Sequence, residues 1–186
     1  MKLNLGCGWR NFGSEWVHID NGDYKHLDYK SDITTLPMIR DSSVDLIYAS
    51  HVIAYFDKNE IIDVFNEWKR ILKCGGILRL ATPDFQSICN LYNNLHKNNI
   101  KLNDIIGPLY GKMDMDGKYI YHKIIYDFNS LKYVLETCGF LNIKKYEWRD
   151  TEHAHFDDHS QAYIPHMDKD GGKLISLNVE CEKNEY

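Results

Sequence analysis

The chain lacks the features that mark secreted, membrane and disordered proteins. Its 186 residues include only four prolines, and no apolar run approaches the length of about 20 residues that a membrane-spanning helix needs. The five cysteines are far apart, and no two of them form a Cys-x-x-Cys pair, which favours reduced thiols over a disulfide framework or a zinc knuckle. No charged and apolar leader precedes Leu3. We therefore expect a cytoplasmic protein without membrane association.

An excess of positive charge is also absent. Twenty-two Lys and Arg residues face 27 Asp and Glu residues, which gives a net charge of -5 and argues against a nucleic-acid partner. The apolar fraction of 44% is enough for an ordinary core. We expect a single domain over residues 1–186, and the composition leaves its oligomeric state open.

The first apolar run, Leu3-Asn4-Leu5, is followed at once by Gly6-Cys7-Gly8. This order predicts a buried parallel strand that leads into a tight turn. Glycine suits such a turn because it adopts positive φ and lets a ligand approach the backbone amides. The start of the chain therefore predicts a ligand site built from backbone.

The connection after Gly8 is too short for a full helix. Only eight residues separate Gly8 from Val17, whereas a parallel crossover usually takes about a dozen or more. The third glycine of a dinucleotide fingerprint would fall at Asn11. We therefore expect a shortened first crossover helix and no pyrophosphate site.

Asp20 ends the second predicted strand. At this place a nucleoside-binding α/β fold puts a carboxylate that accepts hydrogen bonds from both ribose hydroxyls. Asp20 also begins a polar turn, Asp20-Asn21-Gly22-Asp23, which is the alternative role for this residue. The glycine turn upstream favours ribose binding.

Strands and helices alternate in the rest of the chain. Asp57 and Glu60 predict a capping box at the start of a helix, and Cys74-Gly75-Gly76 predicts its glycine cap. A second helix follows Asp84, with one apolar face formed by Ile88, Leu91, Tyr92 and Leu95. The pattern predicts a Rossmann-like, doubly wound α/β fold. Its seven-stranded sheet is mostly parallel, with helices on both faces and an antiparallel last strand.

Two segments interrupt this alternation. Residues 97–126 contain scattered glycines and interleaved tyrosines and lysines, which predicts a lid or insertion near the site. Residues 150–172 form a long polar loop between the last two predicted strands.

The order of these motifs resembles class I S-adenosylmethionine-dependent methyltransferases. The resemblance rests on the following landmarks: Leu3 to Gly8, Asp20, Ser31-Asp32-Ile33, Ser43 to Tyr48, Ser50 to Ile53, Glu67 to Gly76 and Leu78 to Asp84. The second half is similar to a narrower group of small methyltransferases associated with surface-polysaccharide loci, through Gly107 to Gly111, His122, Cys138-Gly139-Phe140, Asp158-His159-Ser160 and Ser176 to Glu180.

The resemblance implies S-adenosyl-L-methionine as cofactor and assigns roles to named residues. Gly6 and Gly8 would lie against the methionine portion and the ribose, and Asp20 would hold the ribose hydroxyls. Asp32 and Ile33 would meet the adenine. The residues implied beside the sulfonium are Ala49, Ser50 and His51.

Methyl transfer mainly requires that the acceptor atom and the methyl carbon be brought together in line. A hydroxyl acceptor also needs a base, and His51, His122 and Asp84 are the candidates. The alternative for each is a structural hydrogen-bonding role. We expect a small-molecule or saccharide acceptor methylated on oxygen or nitrogen.

Two other functions compete with this hypothesis. The run from His153 to His159 resembles the histidine-rich motif of metallo-β-lactamase-fold hydrolases with one residue inserted, so it either binds a metal, lines the acceptor cleft or is solvated. We favour the two roles without metal. The third possibility is a protein that binds S-adenosylmethionine without transferring its methyl group.

Overall fold

The computed structural model describes residues 1–94, 100–115 and 117–184. Its strands, in chain order, are β1 (Lys2–Leu5), β2 (Trp16–Asp20), β3 (Tyr29–Lys30), β4 (Val44–Ser50), β5 (Leu72–Pro83), β6 (Met113–Met115), β7 (Lys118–Ile120), β8 (Phe140–Lys145), β9 (Tyr163–Ile164), β10 (Lys173–Leu174) and β11 (Ser176–Lys183). Its α-helices are α1 (Glu60–Ile71), α2 (Phe85–Asn93), α3 (Leu102–Tyr110) and α4 (Phe128–Thr137).

The central sheet has seven strands in the order β3-β2-β1-β4-β5-β11-β8. The first five strands of that order pair in parallel, whereas β11 runs antiparallel to both β5 and β8. This arrangement confirms the predicted Rossmann-like sheet. The strand order reverses between β1 and β4, and in open α/β sheets ligands bind beside such a reversal at the carboxyl ends of the strands.

The start of helix α1 is set by the local sequence. The Glu60 amide donates to Asp57 Oδ1 at 3.0 Å, and the Asp57 amide donates to Glu60 Oε2 at 2.7 Å, which is the predicted capping box. Apolar side chains at three- and four-residue steps then pack on the sheet; they are Ile61, Val64, Phe65, Trp68 and Ile71.

The predicted glycine cap of α1 is wrong. The helix ends at Ile71, and Leu72 is already extended and pairs with Val44 of β4. Gly75 has the expected positive φ of 70°, but it lies inside β5. Pairing with a distant strand therefore ends the helix before the local glycine signal is reached.

The two faces of the sheet are covered differently. Helices α1 and α4 pack on one face, on a core that includes Ile47 and Ala49 of β4. The alternate β4 side chains, Leu46 and Tyr48, pack on the other face against Phe12, Trp16 and Phe156. Those residues come from the first loop, β2 and the loop after β8, so loops cover this part of the second face. The connections from β1 to β2 and from β2 to β3 span ten and eight residues, which is too short for a full crossover helix.

The first crossover is reduced to turns, as predicted. Between β1 and β2 the described backbone forms no helix, and the Gly6 amide donates to the Ile19 carbonyl at 2.8 Å. The Phe12 amide donates to His18 Nε2 at 2.8 Å, which holds the connection against β2.

The two interrupting segments contain short elements. The described part of 97–126 forms α3 and the hairpin of β6 and β7, whereas Lys97 to Asn99 and Leu95 of the predicted helix face lie outside the described residues. The 150–172 segment contains the 3-10 turn His159–Gln161 and strand β9, which pairs with β10.

Within the described ranges, no helix is both long and apolar enough to cross a membrane.

Candidate active site

A cavity of about 1850 Å³ lies at the carboxyl edge of the parallel strands. Three strand ends contribute to it: Gly6 and Gly8 follow β1, Asp20 ends β2, and Ser50 ends β4. The other walls come from the described part of 97–126 and from the loop after β8. The cavity is therefore at the position where this sheet topology favours a ligand.

The two glycines of the first turn are both left-handed, with φ of 65° at Gly6 and 57° at Gly8. A Cβ on Gly6 would lie 2.4 Å from Val52 Cγ2, so that glycine is required by packing. A Cβ on Gly8 would meet no heavy atom within 4 Å and would project beside the cavity. Gly8 thus leaves an open space in which a ligand can approach the backbone.

The Asp20 carboxylate supports this turn. Its Oδ2 accepts from the Gly8 amide at 2.8 Å and its Oδ1 accepts from the Gly22 amide at 2.7 Å. Each oxygen keeps a further lone-pair site. Asp20 therefore fixes the glycine turn and retains acceptors for a ligand that offers two hydroxyls; the two roles considered for it in sequence are compatible.

Asp32 and Ile33 form another wall of the cavity. Asp32 Oδ1 accepts from the Thr34 amide at 2.8 Å, and the Ile33 carbonyl accepts from Trp68 Nε1 at 2.8 Å. The second contact ties this irregular segment to α1. The other Asp32 carboxylate oxygen, Oδ2, has no hydrogen bond to any described residue.

Ser50 and His51 border the cavity where β4 ends. The Ser50 hydroxyl is buried and has no hydrogen-bond partner in the described part of the chain. His51 is left-handed, with φ of 54°, and its amide donates to the Ala81 carbonyl at 2.7 Å. A left-handed non-glycine residue is uncommon and is held here by the sheet.

His51 has a second histidine beside it, His159, from the run 153–159 for which lining the cleft was one of the predicted roles. The rings of His51 and His159 are 5.0 Å apart between centroids, and both side chains line the cavity. Burial lowers the pKa of His51 well below its usual range, and the neighbouring His159, His122 and Arg10 lower it further. Burial, followed by Arg10, also lowers the pKa of His159. Both imidazoles are therefore neutral near pH 7.

His122 enters the cavity from the segment after β7. Its Nδ1 lies 3.2 Å from the Leu109 carbonyl, and its ring meets Tyr55 edge-on at 4.7 Å. Burial lowers the pKa of His122. His122 is therefore a third neutral imidazole in the cavity.

Two residues predicted for the site lie elsewhere. Ala49 is fully buried in the core under α1 and does not line the cavity. Asp84 caps α2, where its Oδ1 accepts from the Gln86 amide at 3.1 Å and its Oδ2 from the Ser87 hydroxyl at 2.8 Å. These contacts use its carboxylate for helix capping. Asp84 borders a separate cavity of about 220 Å³.

Arg10 is a further cavity residue that sequence reasoning missed. Its Nε donates to the Asp157 carbonyl at 3.0 Å, which links the first turn to the loop after β8. Its position two residues after Gly8 is the signal that could have selected it. The contact between His159 and His51 had no signal in the sequence, because only the fold brings the two rings together.

The histidine-rich run does not converge. His153 is 1% exposed and packs among Phe12, Trp16 and Tyr48, His155 is exposed, and His159 faces the cavity. Over the described ranges, no group of three or more His, Cys, Asp or Glu side chains is arranged to hold a metal ion.

Comparisons with known proteins agree with this geometry. Residues 12–80 match the methyltransferase domain family. No curated protein sequence matches the chain. An S-adenosylmethionine-dependent methyltransferase from Archaeoglobus fulgidus has a TM-score of 0.58 at 16% identity, over 98% of this chain and 85% of that one.

Two further solved structures have the same fold. A methyltransferase from Methanosarcina mazei gives a TM-score of 0.55 at 16% identity, over 98% of this chain and 92% of that one. The 1,6-didemethyltoxoflavin-N1-methyltransferase of Burkholderia thailandensis, solved with S-adenosylhomocysteine and 1,6-didemethyltoxoflavin, gives 0.56 at 8% identity, over 99% and 71% of the two chains. The family match covers residues 12–80, and the solved structures show that the chain has the fold of S-adenosylmethionine-dependent methyltransferases.

Proposed function

We propose that this protein transfers a methyl group from S-adenosylmethionine to an oxygen or nitrogen of a small-molecule or glycan acceptor. The observation that carries the proposal is one cavity that is lined by Gly8, Asp20 and Asp32 and also, just after β4, by the neutral histidine His51. A cavity of about 1850 Å³ exceeds the usual range for one small ligand, about 300–1,000 Å³, so it has room for a cofactor and an acceptor together.

The residues of the first wall fit this cofactor. Gly8 would lie against the methionine portion with Gly6 beneath it, and Asp20 would accept from the two ribose hydroxyls. Asp32 Oδ2 and the Ile33 amide would meet the adenine, because an exocyclic amine needs an acceptor and a ring nitrogen needs a donor. Among the described residues no helix directly follows the first glycine turn to bind a phosphate, and S-adenosylmethionine carries no phosphate.

Ser50 and His51 would border the reacting atoms. The cofactor supplies a methyl carbon that its sulfonium makes electrophilic. The acceptor atom forms the new bond with its own lone pair and loses a proton to a base, while the departing sulfur keeps the pair of the broken bond. The residues hold the two reactants in line and exclude water. His51 is the first candidate base, and His122 is the second.

The acceptor half is lined by aromatic and hydrogen-bonding side chains, among them Tyr55, Tyr119, Tyr121 and Tyr163. Aromatic faces and hydroxyls suit a sugar ring, which presents apolar C–H faces and several polar groups. This lining supports a saccharide acceptor, as does the resemblance to the methyltransferases of surface-polysaccharide loci. We further propose that 97–126 closes over the acceptor and that the reaction takes place in the cytoplasm.

Transfer is tested with S-adenosylmethionine labelled in its methyl group. Separate incubations contain monosaccharides, nucleotide sugars or small primary amines, and products are identified by mass spectrometry. We expect methylation within one of the sugar classes. Methylation of amines alone would contradict the saccharide assignment.

The base is tested by separating turnover from affinity. His51→Gln is expected to lower kcat by about a hundredfold, since general bases typically contribute that much or more, with unchanged affinity for S-adenosylhomocysteine. His122→Gln is compared in the same assay, and exposed His155→Gln is the matched control. Equal losses of turnover and affinity in His51→Gln would contradict its assignment as the base.

A further inference from the structure

His51 is in contact with a hydrogen-bond chain whose direction can be worked out. Its Nε2 lies 3.3 Å from Ser176 Oγ on β11. The distance alone does not say which atom carries the hydrogen. The answer decides which nitrogen of a neutral His51 is able to accept a proton, because one ring nitrogen carries hydrogen and the other does not.

The hydrogen-bond chain begins at the Ser160 carbonyl, a group that can only accept. Asn178 Nδ2 donates to the Ser160 carbonyl at 2.9 Å. This contact turns Asn178 Oδ1 toward Ser176, and the Ser176 hydroxyl donates to that oxygen at 2.9 Å. Ser176 and Asn178 are each 4% exposed, so water does not compete for these contacts.

The direction of the remaining contact follows from counting hydrogens. A serine hydroxyl has one hydrogen, and Ser176 uses it toward Asn178. Its contact with His51 therefore requires Nε2–H to be the donor. If Ser176 donated to His51 instead, its oxygen and Asn178 Oδ1 would face each other as two acceptors. Neutral His51 is thus protonated on Nε2 and bare on Nδ1, and no described group is hydrogen-bonded to Nδ1.

The far end of the hydrogen-bond chain is anchored to β4, the strand that His51 directly follows. Asp158 Oδ1 accepts from the Ser160 amide at 2.8 Å and from the Ser160 hydroxyl at 2.6 Å. Asp158 Oδ2 accepts from the Tyr48 hydroxyl, and Tyr48 lies on β4, three residues before His51. The contacts form a ring through β4, β11 and the 3-10 turn, and the same turn holds His159 against His51.

We propose that Ser176 and Asn178 are positioning residues that hold His51 as the Nε2–H tautomer, so that Nδ1 takes the proton of the acceptor. This inference rests on the proposed function of His51 as base. In the transfer, the acceptor's O–H or N–H bond breaks, its proton binds the Nδ1 lone pair, and its electron pair remains on the methylated atom. His51 becomes an imidazolium that still donates from Nε2 to Ser176.

The tautomer is measured directly, without activity, by long-range ¹⁵N–¹H correlation spectra of protein labelled on its histidines. His51→Gln identifies the His51 signals. We expect wild-type His51 to show a protonated Nε2 and an unprotonated Nδ1, and Ser176→Ala to populate the other tautomer. A wild-type His51 protonated on Nδ1 would overturn the proposal even if the protein proves to be a methyltransferase.

The kinetic test uses a double-mutant design. Ser176→Ala is expected to lower kcat by about tenfold or more without changing affinity for S-adenosylhomocysteine, and Ser176→Thr, which keeps the hydroxyl, restores activity. In a His51→Gln background, Ser176→Ala should have no further effect. The control is Thr82→Val on β5, which removes a buried hydroxyl that has no partner in the described part of the chain.

An equal loss from Ser176→Ala in both backgrounds would show a purely structural role and overturn the proposal. If no acceptor is methylated by the wild type, the proposed function fails, and the spectra still decide the tautomer. Asn178→Ala provides a second variant if Ser176→Ala does not fold, since it frees the Ser176 hydrogen to turn toward His51.

Discussion

Gly8 and Gly13 have the same left-handed backbone in different surroundings. Their φ angles are 57° and 83°, and a Cβ at either position would meet no atom within 4 Å. Gly8 borders the cavity, whereas Gly13 is exposed on the surface. Substitutions at the two glycines therefore distinguish the effect of backbone strain, which both share, from the effect of ligand contact, which is expected only at Gly8.

Alanine at each glycine is expected to cost about 1 kcal/mol of unfolding free energy, because an L-residue is disfavoured in this conformation. Gly8→Ala alone should weaken S-adenosylhomocysteine binding, by at least about tenfold, since its Cβ occupies the space of the ligand. Urea unfolding and calorimetric titration of both variants measure the two effects. Equal affinities would show that the first turn is not against the ligand.

The pH dependence of transfer reports the state of His51. Burial lowers the pKa of His51 most, and three groups that face it lower it further: His159 from the 3-10 turn, His122 from the segment after β7 and Arg10 from the first turn. A base acts when neutral, so kcat/KM should fall only below the usual histidine pKa of about 6.5 as the pH decreases. An acid limb centred above about 7 that persists in His51→Gln would contradict this assignment.

The predicted site residues that do line the cavity are those that local sequence patterns indicate. Gly8 lies just after β1 and Asp20 ends β2, and a strand end is readable from an apolar run. Ala49 was misplaced because the alternation of side chains along β4 turns it into the core. Asp84 was misplaced because its carboxylate caps α2. The pairing of His159 with His51 was not predicted, because the ring contact spans more than a hundred residues of sequence.

Among the elements, the loop after β8 replaces helices as the cover of one face of the sheet. His153 lies in this cover with both ring nitrogens buried and without hydrogen-bond partners among the described residues. Its ring packs on Tyr48 at 4.2 Å and on Phe12 at 5.4 Å. Burial lowers the pKa of His153 to about 4.

This burial makes stability depend on pH. The unfolded His153, with a pKa of about 6.5, binds a proton before the folded one does, so stability is lost as the pH falls through this interval. Between pH 8 and pH 5 the loss from this group is about 2 kcal/mol. His153→Phe should remove that loss, as measured by urea unfolding at both pH values. The matched control is His155→Phe at an exposed site, and an unchanged pH dependence in His153→Phe would refute the explanation.

The two ends of α1 show that long-range strand pairing can override a local sequence pattern in setting where a helix ends. The capping box at Asp57 is local and was predicted correctly. The end of α1 was not, because β4 takes Leu72 into the sheet before the glycines are reached. The helices expected on the second face were inferred from the fold class, whereas the connections from β1 to β2 and from β2 to β3 are too short for a full crossover helix.

For the molecule as a whole, the order of strands places three loop systems around one cavity: the first turn, the segment 97–126 and the loop after β8. If 97–126 is a lid, S-adenosylhomocysteine should slow amide hydrogen exchange there and at residues 6–22. Peptides from β8, at the far edge of the sheet, should be unchanged and serve as the internal control. Unchanged exchange throughout 100–126 would argue against closure by this segment.

The central claim is that the carboxyl edge of this sheet binds S-adenosylmethionine through Asp20. The most direct test is calorimetric titration of the folded protein with S-adenosylmethionine and S-adenosylhomocysteine, beside Asp20→Asn and the exposed control Asp23→Asn. We expect micromolar binding by the wild type and by Asp23→Asn, and at least about tenfold weaker binding by Asp20→Asn, which loses a charged acceptor. A folded wild type that binds neither ligand, or an Asp20→Asn variant that binds as well as the wild type, would contradict the account.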